Sequence, residues 1–210
     1  MENLEICKKC GGACCKKSGC DYLPKNFVDL SFNGLLKKLE EGNISVVATI
    51  IFKKLPNGKM YANPILYLRA RNNNREIIDL ISMKTTCSML TDTGCKYSYD
   101  ERPSMGKNLM PVPDKKCYPL ENPNIIIKEW DSYQRVLSKI VKRMTGLTLD
   151  EKVKQDVENL FYEVLSNNFE GIDIREVMDI RGLIVPLANC YPDELENAVN
   201  RIENKVYTKV

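Results

Sequence analysis

The cysteines of this chain fall into two groups whose spacing is typical of metal ligands. The first group, near the N-terminus, reads C-x2-C-x3-C-C-x4-C and consists of Cys7, Cys10, Cys14, Cys15 and Cys20. The second group consists of Cys87, Cys95 and Cys117. Two residues between the first two cysteines allow both sulfur atoms to face one metal ion within a tight loop. These eight cysteines are therefore the candidate metal ligands.

Nine cysteines and no histidine restrict the kinds of site that the chain can build. A Cys₂His₂ finger, a histidine–carboxylate iron site and a nucleophile activated by histidine are all excluded. A metal must therefore be held mainly by thiolates. The adjacent Cys14 and Cys15 have diverging side chains, so they indicate two metals, a polynuclear cluster, or one ligand beside one packing cysteine. Cys190 stands apart from both groups, and we predict that it lies outside the site.

Composition and charge favour a globular protein without a nucleic-acid or membrane partner. A hydrophobic content of 43% in 210 residues allows one sizeable core. The net charge of +3 is not concentrated in a basic stripe, which argues against nucleic acid. The apolar stretch over residues 44–52 is too short to span a bilayer, and no apolar run follows Met1. We expect a cytoplasmic location, where reduced thiols favour metal binding over disulfides.

The elements around the cysteine groups are predicted to form a small antiparallel sheet. A helix is predicted over residues 31–41, and a strand over residues 44–52. An Asn-Gly turn connects this strand to a return strand over residues 60–71, in which Pro64 indicates an edge or a bulge. Residues 76–81 are predicted to form a third strand. The Pro- and Gly-rich stretch that follows needs a cross-link to stay ordered, or it carries function.

The last third of the chain is predicted to be helical. Apolar residues recur at steps of three and four over residues 126–144. Thr148 and Glu151 fit a capping box that begins a second helix. A third helix is predicted from Asp173 to a point before Pro186, and a fourth after Pro192. The predicted fold class is α+β, with a sheet-containing cysteine-ligated metal module (residues 1–120) and a C-terminal helical bundle (residues 121–210) packed on it as one compact unit.

The two cysteine motifs together resemble the YkgJ-like CxxCxxCC cysteine-cluster family, which is described as a zinc- or iron-chelating domain. That family pairs an N-terminal run of four cysteines with a later cysteine segment that ends in an Arg-Pro element. The residues that match are Cys7, Cys10, Cys14 and Cys15, followed by Cys87, Leu90, Gly94, Cys95, Glu101, Arg102 and Pro103. The resemblance covers about residues 7–120 and does not extend to the C-terminal helices.

The chain departs from the family pattern at two places. One extra residue separates Cys10 from Cys14, and Gly106 stands where the family commonly has a cysteine. The resemblance therefore implies that Cys20 or Cys117 supplies the missing ligand. We also expect the sulfur atoms of the two cysteine groups to lie near one another in space. The first segment is too polar to order itself, and the second has little periodicity and many Pro and Gly residues.

The resemblance implies a metal centre and leaves its chemistry open between two alternatives. The family is remotely similar to flagellin lysine N-methylases, whose cysteine-rich region is associated with an iron–sulfur cluster. The first alternative is thus an iron–sulfur protein in a redox or protein-modifying step, with a protein or peptide as substrate. The second is a zinc-stabilised binding or accessory protein without catalysis. Four cysteines accept either metal, and the surplus of thiols favours iron. Whether the chain is an enzyme is left open.

Overall fold

The computed structural model describes residue 15 and residues 20–72, 75–82, 86–92, 94–107, 109–111, 117–119, 124–166 and 174–207. In these ranges helices and a small antiparallel sheet occur together, which confirms the α+β class in its coarse form. The helices are α1 (Phe32–Glu40), α2 (Ser104–Lys107), α3 (Ile125–Trp130), α4 (Gln134–Thr145), α5 (Leu149–Leu165), α6 (Ile174–Cys190) and α7 (Pro192–Tyr207). The strands are β1 (Ile44–Lys54), β2 (Met60–Ala70), β3 (Leu90–Thr91), β4 (Gly94–Cys95), β5 (Leu109–Pro111) and β6 (Cys117–Pro119).

Strands β1 and β2 form the predicted hairpin and are the longest paired elements. Their antiparallel register runs without interruption from Ile44 opposite Ala70 to Lys54 opposite Met60. Gly58 adopts a φ of 82° in the connecting turn, a conformation that glycine reaches without steric cost. Pro64, which has no backbone N–H, causes no bulge in β2. The backbone N–H and C=O groups of the even-numbered residues of β2 point away from β1, so the pairing with β1 loses no hydrogen bond at this position. The missing N–H therefore falls on the outer edge of the strand.

Two short extended segments lie beside this hairpin, one on each edge. On the outer edge of β2, Asp21 pairs antiparallel with Arg69. On the outer edge of β1, residues 77–80 make backbone hydrogen bonds to Val46 and Ala48, and Ile78 forms a parallel bridge with Val46. The prediction of a third antiparallel strand over residues 76–81 is therefore wrong. After β2 the chain crosses to the opposite edge of β1. Residues 77–80 therefore run parallel to β1, and they form a single bridge with it.

The C-terminal helices cover the hairpin and complete the core. Helices α3, α4 and α6 contact β2, and α5 packs against α7. The side-chain amide of Gln134 makes the two hydrogen bonds that a neighbouring strand would make with the edge of β2. Its Nε2 donates to the Leu66 carbonyl and its Oε1 accepts from the Leu66 N–H, each at 2.8 Å. One apolar cluster contains residues from the hairpin and from the helices, including Leu66, Trp130 and Leu137.

Most helix boundaries lie where the capping and proline signals of the sequence predict them. The C-terminal end of α6 does not. Thr148 and Glu151 make the predicted capping box at the start of α5. Helix α6 continues through Pro186 to Cys190, so the predicted end before Pro186 is wrong. Proline removes one hydrogen bond and crowds the preceding turn. We attribute the continuation to the burial of Leu187 and Tyr191 just beyond it, which favours the helical path.

None of the helices in the described ranges combines the length and the hydropathy that a bilayer-crossing segment needs.

Candidate functional site

The structure describes four of the eight predicted ligand side chains. Cys15 and Cys87 are buried, with 7% and 3% of their surface exposed, while Cys20 and Cys95 are half-buried against the core. Cys7, Cys10 and Cys14 lie outside the described residues. The backbone of Cys117 begins β6, and its side chain is likewise outside the described part.

The two cysteine groups meet at Cys15 and Cys87. The Cys87 backbone N–H donates to the Cys15 carbonyl at 2.7 Å. On its other side Cys87 forms an antiparallel bridge with Asn72, and the following N–H, that of Ser88, donates to the Arg71 carbonyl at 2.9 Å. Cys87 is thus held between the N-terminal cysteine group and the end of β2. The backbones of the two groups are therefore in contact at this point, and the proximity of their sulfur atoms stays a prediction.

Cys20 is fixed to the same strand by backbone hydrogen bonds. The Ala70 N–H donates to the Cys20 carbonyl at 2.8 Å, and the Tyr22 N–H donates to the Leu68 carbonyl at 2.9 Å. Alternate residues of an extended segment project to one face, so Cys20 and Tyr22 share a face. Their side chains therefore lie on the face of β2 that carries Leu68 and Ala70.

The thiol of Cys20 lies directly against Gly106. A Cβ atom added at Gly106 would stand 2.9 Å from Cys20 Sγ and 3.3 Å from Cys20 Cβ, closer than packed atoms tolerate. Gly106 is also the position at which the YkgJ-like pattern places a cysteine. A side chain at residue 106 and the Cys20 thiol therefore compete for one volume, and in this chain Cys20 fills it.

The Arg-Pro element builds the turn that carries Gly106. Glu101 Oε2 accepts from the Ser98 N–H at 3.0 Å, and hydrogen bonds from Ser98 lower the pKa of Glu101. Helix α2 follows Pro103 and is tied to the Cys20 segment, because the Met105 N–H donates to the Asp21 carbonyl at 3.2 Å. These contacts explain how the segment that contains Glu101 and Pro103 places α2 over Cys20.

Cys95 is presented by the short hairpin of β3 and β4. It pairs with Leu90, and the Lys96 N–H donates to the Met89 carbonyl at 2.7 Å. Gly94 precedes Cys95 with a φ of 116°, a region where side chains are strained. Because β3 begins three residues after Cys87, this hairpin returns the chain towards the buried turn that holds Cys87.

Two tyrosines that the sequence analysis did not single out border the described thiols. Burial raises the pKa of the Tyr22 phenol, a hydrogen bond with Tyr97 raises it further, and the nearby thiols of Cys20 and Cys87 act in the same direction. Each tyrosine follows a candidate ligand by two residues, as Cys20-Asp21-Tyr22 and Cys95-Lys96-Tyr97. This repeated spacing is the signal that could have identified them.

A half-buried ion pair lies next to Cys20. Arg69 Nε donates to Asp21 Oδ1 at 2.5 Å, and Arg69 Nη2 donates to the Tyr67 hydroxyl at 3.2 Å. Burial alone would lower the pKa of Arg69, but Tyr67, Asp21 and Cys20 together raise it. The guanidinium therefore stays charged beside Cys20, paired with the Asp21 carboxylate.

The described donors are chemically suited to a soft metal, although they do not form a complete site by themselves. Among the described residues, no group of three or more cysteine or carboxylate side chains is arranged to hold a metal ion. Sulfur donors fit zinc or iron. The full ligand set stays a prediction because it includes Cys7, Cys10, Cys14 and Cys117. Cys190 ends α6, and burial raises its thiol pKa, which disfavours the ligating thiolate form.

Comparison of the chain with protein-family models, with curated protein sequences and with solved structures finds no match. The likeness to the YkgJ-like family therefore rests on the cysteine motifs alone.

Proposed function

We propose that this protein binds a metal centre through thiolates where the segments of Cys15, Cys20, Cys87 and Cys95 converge. The observation that carries the proposal is the 2.7 Å hydrogen bond from the Cys87 N–H to the Cys15 carbonyl. It joins the two cysteine groups directly, and Cys7, Cys10 and Cys14 precede Cys15 within eight residues in sequence. Thiols gathered from two distant segments are the usual architecture of a zinc or iron–sulfur site.

We assign an iron–sulfur cluster to this centre. Eight thiols exceed the four that one zinc ion needs, and the adjacent Cys14 and Cys15 suit a polynuclear cluster better than a single ion. Cys20 and Cys95 are half-buried, and a centre held by partly exposed thiols would be accessible for electron exchange. A redox or protein-modifying role on a protein or peptide substrate is the activity that the family resemblance suggests. Nucleic acid and membrane are not among the proposed partners.

A zinc-stabilised accessory protein is the second candidate, and one observation favours it. The segment of Cys20 is attached to β2, and Cys87 to Asn72 just beyond β2, by isolated bridges rather than by long strands. A structural zinc ion would hold such segments together, and its binding free energy would become folding free energy. In this case the protein would bind partners without catalysis.

Purification without oxygen, followed by metal and acid-labile sulfide analysis, tests both candidates. The iron–sulfur proposal predicts a brown protein that contains iron and sulfide. A colourless protein with stoichiometric zinc supports the second candidate instead. A folded protein with neither metal, even after reconstitution with iron and sulfide or with zinc, contradicts both.

Serine variants identify the ligands. We expect Cys87→Ser, and Cys20→Ser or Cys117→Ser, to lose most of the bound metal, because each leaves the site one donor short. Cys190→Ser is the control and is expected to keep full metal content. If Cys20→Ser and Cys117→Ser both retain the metal while Cys190→Ser loses it, the ligand assignment is wrong.

A thiol exchange tests the contact between Cys20 and Gly106. Cys20→Ala with Gly106→Cys moves the sulfur to the opposite side of the same volume, and we expect this double variant to recover metal that Cys20→Ala alone loses. Gly106→Ala, which keeps Cys20, crowds its sulfur and should lower metal content. No recovery in the double variant, with the protein folded, would argue that Cys20 is a packing residue.

A further inference from the structure

The hairpin of β1 and β2 is buried at one end and exposed at the other. At the buried end Ile44 lies opposite Ala70, and both are part of the core. The rest of the hairpin, residues 49–65, contains no buried side chain, and Leu55 and Tyr61 within it are 39% and 37% exposed. We call residues 49–65 the distal hairpin. A two-stranded ribbon outside a core gains little stability by itself, so the length of these strands needs another explanation.

The outer edge of β1 is open along the distal hairpin. The N–H groups of Val46 and Ala48 donate to carbonyls of the segment 77–80, so even-numbered residues of β1 direct their backbone groups away from β2. Ile50 and Phe52 continue this alternation. Among the described residues, no strand or side chain pairs with the outward N–H and C=O groups of Ile50 and Phe52. The edge can therefore accept one more strand.

The outer edge of β2 is protected, in contrast to that of β1. The Gln134 side chain takes both backbone groups of Leu66, and Pro64 has no N–H to offer. Proline is one of the residues by which sheets prevent strands from adding to an edge. The edge of β1 carries no proline and ends in Lys53 and Lys54. Lysines on an edge disfavour positively charged strands, and they leave the edge open to negatively charged ones.

The charge of the distal hairpin is entirely positive. Residues 42–75 contain neither aspartate nor glutamate. Lys53, Lys54 and Lys59 are exposed, and none of them makes an ion pair within the described part of the chain. An occupant with carboxylates would therefore find three available cations beside an open strand edge. The hairpin of a second copy would bring three more lysines and no carboxylate, which makes it the less complementary occupant.

We propose that the distal hairpin is a docking surface for an extended acidic segment of a partner protein, which adds to the open edge of β1 as a further strand. Main-chain hydrogen bonds to Ile50 and Phe52 hold the segment, and its carboxylates meet the lysines. Met60 and Ala70 stand at opposite ends of β2, about 33 Å apart along an extended strand of this length. The surface is thus remote from the Cys20 segment, and the inference is independent of the metal centre.

Fluorescence anisotropy with the full-length protein tests the docking surface. The probe is a fluorescein-labelled hexapeptide that alternates glutamate with valine, and the control peptide alternates lysine with valine. We expect saturable binding of the acidic peptide, weakened by salt because exposed charges are screened, and no binding of the basic one. Hydrogen exchange on the complex locates the peptide. The amides of Ile50 and Phe52 should gain protection, whereas that of Ile51, which faces β2, should not change.

Two substitutions with matched controls identify the charge and the edge. Lys54→Glu should weaken binding of the acidic peptide severalfold, whereas Lys37→Glu, an exposed position in α1, changes the net charge equally and should have no effect. Ile50→Pro removes the outward N–H and no bond to β2, and we expect it to weaken binding about tenfold. Ile50→Val keeps this N–H and should bind as the wild type does. If Ile50→Pro fails to fold, Lys54→Glu decides.

The other possible occupants give different results. Absence of saturable binding of the acidic peptide, equal affinities of Lys54→Glu and Lys37→Glu, or protection gained outside β1 overturns the inference. Binding of phosphatidylserine vesicles or of a single-stranded oligonucleotide, without binding of the peptide, assigns the lysines to another partner and also overturns it. So does a concentration-dependent dimer that protects Ile50 and Phe52 without peptide. None of these results depends on bound metal, so each leaves the proposed function untouched.

Discussion

Helices α4, α5 and α7 and the cysteine segments around Cys20 and Cys87 are stabilised in different ways. The helices begin and end at signals within a few residues, such as the capping box of Thr148 and Glu151 and the left-handed Gly146 after α4. The cysteine segments are attached by bonds to residues distant in sequence, for example Cys87 to Cys15 and Tyr22 to Leu68. Long-range bonds must offset the entropy of closing the loops between them. On the proposed function, we therefore expect the cysteine segments to depend on the metal more than the helices do.

Removal of the metal is the experiment with the largest expected effect on this comparison. We expect the amides of residues 20–22 and 87–95 to lose most of their hydrogen-exchange protection after chelation. Those of α5 and α7 should keep theirs, because these helices bury their own apolar faces. Exchange measured by mass spectrometry on metal-bound and chelated protein provides the test. Equal loss of hydrogen-exchange protection in the cysteine segments and in α5 and α7 would mean that the two regions do not depend on the metal to different degrees.

A core substitution in α5 is expected to have the next largest effect, and it acts independently of the metal. Leu160 is 2% exposed, so Leu160→Ala removes buried methyl groups and should cost about 2–5 kcal/mol of unfolding free energy. Leu165→Ala is the matched control in the same helix, since Leu165 is 44% exposed and its loss should stay within about 0.5 kcal/mol. Urea unfolding measures both. Reduced metal content in folded Leu160→Ala would show that the helices and the site are coupled.

A smaller effect is expected at the bond that connects the two regions. Trp130→Phe deletes the donor to the Tyr22 carbonyl, and leaving this buried acceptor unpaired should cost about 1–3 kcal/mol. We expect the loss of hydrogen-exchange protection to be greatest at residues 20–23, next to the orphaned carbonyl. Chemical unfolding together with exchange measures the effect. Unchanged stability and unchanged protection at Tyr22 would show that this bond does not hold the segment in place.

The smallest effect is expected at the cap of α5, which is a purely local feature. Hydrogen bonds from Thr148 lower the pKa of Glu151 below its ordinary value of 4.5. The stability that the ionised Glu151 carboxylate adds to the folded protein is therefore fully present above pH 4.5. It is lost as the pH falls through the lowered pKa that Glu151 has in the folded state. Glu151→Gln keeps the hydrogen-bonding side chain and removes the charge. The urea midpoint of this variant should depend slightly less on pH between pH 5 and pH 3 than that of the wild type; an identical pH dependence would contradict the prediction.

The sequence by itself determined the elements whose signals are local. The hairpin of β1 and β2 follows from a β-branched apolar stretch before the Asn57-Gly58 turn and a return strand after it, and α5 follows from the capping box and its apolar period. The sequence also restricted the chemistry, because a chain with nine cysteines and no histidine is expected to hold a transition metal mainly through thiolates. These inferences needed no knowledge of which distant residues would touch.

The tertiary structure alone decided which distant segments lie together. The parallel course of residues 77–80 beside β1, the passage of α6 through Pro186 and the fit of the Cys20 thiol against Gly106 all depend on distant packing contacts. The meeting of Tyr22 with Tyr97 belongs to the same group. A sequence pattern reports the neighbours of a residue along the chain. Burial and long-range hydrogen bonds, which select among alternative packings, become visible only once the chain has folded.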